Sequence, residues 1–347
     1  MKGKNNLQET RQPVLSVIIP VYNVADYIEK CAQSLFSQTF ADIEFVFVDD
    51  RSPDDSIAIL NRILKDYPNR AARTKIISNS INLGVGASRQ TGVSNATGRY
   101  IIHCDPDDWV DPDYYEKLVA KAESDGCDMV ISDFVLESPD RVLNMCQNPG
   151  QLEYDHFCDL MCGLGHPRMH GSLCNKLIRR SCYDGYIFPP GLDYCEDVLF
   201  LLNLRGSNIR MGYMAGSAYH YRVTPSSITN SYRFENIGRE NRFIEAVESL
   251  SDKGKITPAQ RDSIIAGVLY GHILRVKDMP GEYFKSRYSK YRKTVSSNRQ
   301  LGVVARIRLF IALNVGFKTE QRVHDAAYKT VKFLRHTINS LFFKSQK

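Results

Sequence analysis

Glu44-Phe-Val-Phe-Val-Asp-Asp-Arg-Ser-Pro-Asp-Asp55 decides the architecture of this chain. The run from Glu44 to Asp49 has the length and the aromatic and β-branched content of a strand buried on both faces. It passes straight into the paired carboxylates Asp49 and Asp50. Ser52, Asp54 and Asp55 then supply the residue types that open a helix, and Ile57, Leu60 and Leu64 recur at helical spacing over 54–67. The same order of apolar strand, polar end and helix repeats on either side. Leu15 to Pro20 predicts a strand and Ala25 to Ser37 a helix with Ile28, Ala32, Leu35 and Phe36 on one face. Thr74 to Ile77 predicts a strand, Val85 to Asn95 a helix, and Tyr100 to His103 a further strand. Strands alternating with helices predict an α/β fold with a mostly parallel sheet and helices on both faces. In such sheets ligands lie beyond the carboxyl ends of the strands, which brings Tyr22, Asn23, Asp49, Asp50 and Asp105 to Asp108 to one rim.

Past Pro112 the pattern continues through a helix (Tyr114 to Ser124) and a short strand (Asp128 to Ser132), then loses regularity up to about residue 195. Ser172 to Ile178 and Ala215 to Arg222 read as added strands. From about Tyr232 helical patterns take over, as in Phe243, Val247 and Leu250. The expected organisation is a polar segment over 1–13, a catalytic α/β domain over 14–230 with halves at 14–125 and 126–230, and an α-helical region over 231–347. A hydrophobic content of 43% against 24% charged residues excludes a disordered chain. No apolar run reaches the roughly 18 residues needed to span a bilayer, and residues 1–13 lack the core of a secretory signal, so a cytoplasmic location is expected. Nine cysteines without a CxxC pair argue against a disulfide framework and a zinc ribbon.

The rim acids carry the chemistry. Ser52, Asp54 and Asp55 are accounted for by helix capping, but Asp49 and Asp50 repel one another unless a ligand or partner offsets their charge. Asp105, Asp107 and Asp108 follow a buried strand within four residues and present hard oxygen donors suited to a Mg²⁺ or Mn²⁺ already bound to a diphosphate. The glycines of Asn82-Leu-Gly-Val-Gly-Ala-Ser-Arg89 do not make a dinucleotide fingerprint. That motif needs a small residue where Arg89 stands, and it belongs after the first strand.

Six ordered stretches, Ser16-Val-Ile-Ile-Pro-Val-Tyr-Asn23, Ser34-Leu-Phe-Ser-Gln-Thr39, Val48-Asp-Asp-Arg-Ser-Pro-Asp54, Asn82-Leu-Gly-Val-Gly-Ala-Ser-Arg89, Ala96-Thr-Gly-Arg-Tyr-Ile101 and Asp105-Pro-Asp-Asp-Trp109, together resemble the family 2 inverting glycosyltransferases of the GT-A fold. These enzymes build bacterial capsular, exopolysaccharide and lipopolysaccharide chains. The resemblance implies a nucleotide-sugar donor, with UDP expected, a divalent metal, and a single displacement at the anomeric carbon. It nominates Pro20, Tyr22, Asn23, Asp49, Asp50, Asn82 and Arg89 for donor binding. The D-x-D element maps to Asp105 and Asp107, followed by Asp108. Asp193-Tyr-Cys-Glu-Asp-Val-Leu-Phe200 resembles the segment that supplies the base, which makes Asp197 the expected general base and Glu196 its orienting or acceptor-contacting neighbour. Arg222 in Tyr219-His-Tyr-Arg222 is the expected phosphate clamp, His220 the completing metal ligand, and Lys176 a phosphate or acceptor contact. Arg51 stands where the family usually has glycine. The alternative is a degenerate member serving as a nucleotide-sugar-binding assembly subunit.

The net charge of +6 is uneven. Residues 299–347 hold ten Lys or Arg against two Asp or Glu, +8, which leaves −2 for the rest. Gly302 to Phe317 is mostly apolar around Arg306 and Arg308. Farther on, Val323, Ala327, Leu334, Ile338 and Leu341 recur near helical spacing among Arg322, Lys329, Lys332, Arg335 and Lys344. That is the pattern of an interfacial helix on an anionic membrane surface, and with the lipid-linked or glycan acceptors of the family it predicts a peripheral enzyme on the inner face of the cytoplasmic membrane. No nucleic-acid reader module is present, so no nucleic-acid partner is expected.

Overall fold

In the computed structural model, residues 12–224, 234, 237–276 and 278–329 are described. The chain divides into two compact units, one formed by residues 1–161 with 165–227 and the other by 162–164 with 228–347.

The first unit is built on a nine-stranded sheet. Its strands are β1 (Leu15–Val21), β2 (Ile43–Asp49), β3 (Thr74–Ser78), β4 (Tyr100–His103), β5 (Trp109–Val110), β6 (Met129–Ser138), β7 (Arg141–Met145), β8 (Lys176–Arg179) and β9 (Met211–Arg222), in the order β3-β2-β1-β4-β8-β6-β9-β5 with β7 paired to β6. Around it lie α1 (Ile28–Phe36), α2 (Ser56–Leu64), α3 (Pro68–Ala71), α4 (Val85–Asn95), α5 (Tyr114–Asp125), α6 (Tyr154–Met161) and α7 (Glu196–Asn203). Strands β3, β2, β1 and β4 run parallel, whereas β8 pairs antiparallel with β4 and β6, and β5 with β9. The sheet is therefore Rossmann-like in its first half and mixed in its second.

Helices cover both faces, which is why β1 and β2 read as unbroken apolar runs. Val17, Ile19, Phe45 and Phe47 pack with Ile28, Leu35 and Phe36 of α1 and Leu118 of α5. On the opposite face, Gly92 lets α4 approach β1 so closely that a Cβ there would meet Ile18 at 2.3 Å. Pro20 sits inside β1 without a broken ladder because pairing with β4 ends at Ile18.

Two strands escape the sequence pattern. Strand β5 is two residues long, and β7 is exposed along most of its length, so neither carries an apolar run. Strand β6 runs six residues past the expected end at Ser132, extended by its parallel pairing with β9.

The second unit contains α8 (Ile237–Asp252), α9 (Pro258–Arg275), α10 (Tyr283–Tyr288), α11 (Arg292–Ser297) and α12 (Val303–Asn314), followed by a helix over 317–329. Helix α9 opens on a complete capping box of Thr257 and Gln260 with Pro258 in the first turn. Phe284 packs on Tyr288 and Phe317 within this unit. The basic positions Lys332, Arg335 and Lys344 lie outside the described residues, as do Met1 to Arg11.

Candidate active site

The rim beyond the carboxyl ends of β1, β2 and β4 is built from loops that the chain holds under local strain. Asn23, Arg51 and Cys195 all take positive φ (54°, 61° and 56°), the first two just past β1 and β2 and the third immediately before α7. Left-handed backbone at non-glycine residues is uncommon and clusters at functional sites. Tyr22 is half-exposed beside Asn23, whose backbone N–H donates to Ser52 Oγ. Asp54 ties these loops together. It accepts from Ser52 Oγ, Ser56 Oγ, Ser56 N–H and Ala25 N–H, and although burial opposes its charge, these donors hold its carboxyl down at about 2.

Asp49 and Asp50 leave β2 on opposite faces, and each finds partners within the chain. The carboxylate of Asp49 accepts from Ser52 N–H at 2.8 Å and Ser78 Oγ at 3.1 Å. That of Asp50, buried, accepts from Asn79 Nδ2 at 2.8 Å, Leu83 N–H at 2.9 Å and Gly84 N–H at 2.7 Å. The offset expected from a ligand or partner comes here from donors within the chain, Ser52 and Ser78 for Asp49 and the 79–84 loop for Asp50. Asn82 adds a bond to Gly84 N–H at 3.1 Å. Gly84 is the pivot, with φ +88° and a Cβ position 2.0 Å from Asp193 Oδ1, so no other residue fits there without displacement.

Arg89 organises the centre. Buried on α4, it donates through Nη2 to Asp105 Oδ1 at 3.1 Å and through Nε to Glu196 Oε1 at 3.0 Å. Its third nitrogen, Nη1, is buried without a hydrogen-bond partner among the described residues. Two acids that lie far apart in sequence thereby meet at one guanidinium. The buried bridge holds Glu196 inward on Arg89. Asp197, next on α7, is half-buried, and its Oδ1 accepts from Val198 N–H at 2.7 Å. Burial, reinforced by Glu196, pushes its carboxyl up to about 7.

At the D-x-D turn Asp105 and Asp107 are half-buried. Burial and the nearby Asp105 push Asp107 up to about 6, an environment that a cation would relieve. Asp108 faces away. Its two oxygens accept from Tyr219 Oη and Arg222 N–H, so it anchors the turn to β9 and is corrected from metal ligand to structural tie. His220 is corrected likewise. Its ring nitrogens contact Glu137 at 2.9 Å and Asp111 at 3.2 Å, and the ring stacks on Trp109 at 4.9 Å. Among the described residues no three His, Cys, Asp or Glu side chains converge on one metal position. Two carboxylates remain, which fits a Mg²⁺ or Mn²⁺ that takes its other ligands from water and a diphosphate.

Arg222 lies beside the D-x-D turn. Its Nε donates to Asp107 O at 2.8 Å and its guanidinium lies over Trp109 and Tyr27. Lys30, on the outer face of α1, places Nζ 3.2 Å from the centre of the same Trp109 ring. Sequence reasoning missed Lys30 because an exposed lysine on an amphipathic helix carries no signal. Lys176 is not available to a ligand. Its Nζ is fully buried and donates to His170 O, Ser172 O and Asn175 Oδ1 at 2.6–2.8 Å, so its expected phosphate or acceptor contact is corrected to an internal pin.

The model of glycosyl transferase family 2 matches residues 16–186. The chain is similar to the putative glycosyltransferase EpsH of Bacillus subtilis (strain 168), 33% identical over 229 residues, which are 64% of this chain and 64% of EpsH, so the match spans just under two thirds of that relative. It is similar to the chondroitin synthase of Escherichia coli, 36% identical over 115 residues, 33% of this chain and 16% of the synthase. Among solved structures, residues 1–349 of S. aureus TarS in complex with UDP-GlcNAc share the fold, with a TM-score of 0.64 at 18% identity over 91% of this chain and 92% of that one. The motif order, the GT-A-type sheet and the family match agree, and together they support a family 2 glycosyltransferase, matched over residues 16–186.

Proposed function

We propose that this enzyme transfers one sugar from a UDP-sugar to a glycan or lipid-linked saccharide acceptor, with inversion, in bacterial surface-polysaccharide synthesis. The observation that carries the reading is the buried Arg89 bridge, which couples the D-x-D carboxylate Asp105 to Glu196 and so to the adjacent Asp197. Pro20, Tyr22, Asn23, Asp49 and Asn82 border the nucleoside, with Asp50 holding the glycine loop against it. Asp105 and Asp107 would hold a Mn²⁺ or Mg²⁺, which would offset the charge of the departing diphosphate. Arg222 adds a fixed cation to the same charge.

The transfer forms one bond and breaks one. The acceptor oxygen bonds to the anomeric carbon from the face opposite the nucleotide, the bond from that carbon to the phosphate oxygen breaks, and UDP leaves. Asp197 takes the hydroxyl proton, a role suited to a carboxylate raised towards neutrality. The complex of TarS with UDP-GlcNAc supports uridine, and the chondroitin synthase supports a growing polymer as acceptor.

Calorimetry of UDP and GDP, each with Mn²⁺ and with chelator, tests the donor site on the wild type and Asp107→Asn. Metal-dependent UDP binding lost in the variant is expected. Metal-dependent GDP binding in place of UDP would change the donor, and binding of neither nucleotide by folded protein would overturn the proposal.

A further inference from the structure

We infer that the outward face of α12 docks on an anionic lipid surface, where the headgroups and acyl boundary of one leaflet are its partner. The inference goes beyond the proposed transfer and moves the membrane contact expected of the C-terminal tail to a formed helix. Helix α12 reads VVARIRLFIALN and is apolar nearly all round. Its inner stripe, Ala305, Leu309, Ala312 and Leu313, is buried within the helical unit. A second stripe at helical spacing faces out, with Val303 63%, Ile307 54% and Phe310 60% exposed and Val304 beside them. A helix apolar on both sides belongs in a core or against lipid, and contiguous exposed apolar patches mark interaction surfaces.

The charges around the stripe select the partner. Arg308 is turned inward and paired with buried Glu320, so no anion from that pair reaches the surface. Arg292, Lys293, Arg299, Lys318, Arg322 and Lys329 are exposed along the flanking segments, against the single exposed carboxylate Asp325 between 299 and 329. A second copy docking by a two-fold axis would set this cationic rim against itself. Anionic headgroups complement it. Twelve residues of helix reach about 18 Å, too short to cross a bilayer, and among the described residues no helix is long and apolar enough to do so. The helix therefore lies along the interface, with Ile307 and Phe310 at acyl depth.

Flotation of the full chain with phosphatidylcholine vesicles, with and without phosphatidylglycerol, tests this against the variants I307E/F310E and K329Q/K332Q/R335Q. Both sets of changes fall outside the nucleotide site, so retained UDP binding certifies fold and keeps the vesicle result separate from the donor reading. Expected is salt-sensitive binding to phosphatidylglycerol vesicles that falls at least tenfold in I307E/F310E. Wild-type binding that persists in I307E/F310E and vanishes in the Lys/Arg variant would overturn the inference in favour of the tail. A wild type that ignores vesicles, and is a dimer by light scattering that I307E/F310E makes monomeric, would overturn it in favour of a second copy.

Discussion

Arg89 is the residue on which the site's electrostatics turn. Its guanidinium is buried between Asp105 and Glu196, so removing it leaves two partly or fully buried carboxylates without their counter-charge. Arg89→Met is expected to cost about 3–5 kcal/mol in chemical denaturation, because breaking a buried pair strands the partner. Asp197 makes the opposite prediction for stability. Burial and Glu196 raise its folded carboxyl to about 7, above the ordinary unfolded value, so between those values the folded state keeps a proton the unfolded state has lost. Stability from this group is present at low pH and lost as pH rises towards 7. Asp197→Asn is therefore expected to melt no lower than the wild type at pH 8, as a thermal scan would read. If Asp197 is the base, the wild-type kcat/KM falls below pH about 7, and a rate profile flat from pH 5.5 to 8 would oppose that assignment.

At the level of elements, the loops that present the acids are shaped by a few backbone positions. Arg51 holds φ +61° where glycine carries no such penalty, so Arg51→Gly is expected to stabilise by about 0.5–1 kcal/mol, the left-handed cost less glycine's entropy. Gly84→Ala is expected to cost about 2 kcal/mol or more and to weaken UDP binding, because a side chain is strained at φ +88° and its Cβ would enter Asp193, shifting the loop whose N–H holds Asp50. Lys176→Met separates a pin from a phosphate ligand. It should lower stability by about 2–4 kcal/mol by leaving buried carbonyl oxygens without a donor, while UDP affinity in calorimetry stays within threefold of wild type. Apart from β5, the strands up to Ser132 were legible because both faces of β1 and β2 are buried, and α1, α2 and α5 because each shows an apolar stripe. Strands β5 and β7 were not, since they are held by pairing with β9 and β6 rather than by apolar content of their own.

Across the whole molecule, legibility follows how local the determining contacts are. The acids of the rim could be read because each follows a buried strand closely, and the Glu196 and Asp197 pair because it opens a helix. Which of them are free for a ligand could not be read. Asp108 and His220 are claimed by Tyr219, Arg222, Glu137 and Asp111, and Lys176 by carbonyls of a loop without regular structure. The charge asymmetry between the acidic residues 1–298 and the basic remainder is legible in composition, but only the folded helix shows Arg308 neutralised and Ile307 and Phe310 facing out. The central claim is that Asp197 takes the acceptor's proton in a metal-assisted sugar transfer. Its most direct test is UDP release from a UDP-sugar in the presence of acceptor and Mn²⁺, wild type against Asp197→Asn at pH 8. The account predicts at least a thousandfold loss of acceptor-dependent release with UDP affinity preserved, and a folded variant releasing UDP at the wild-type rate would contradict it.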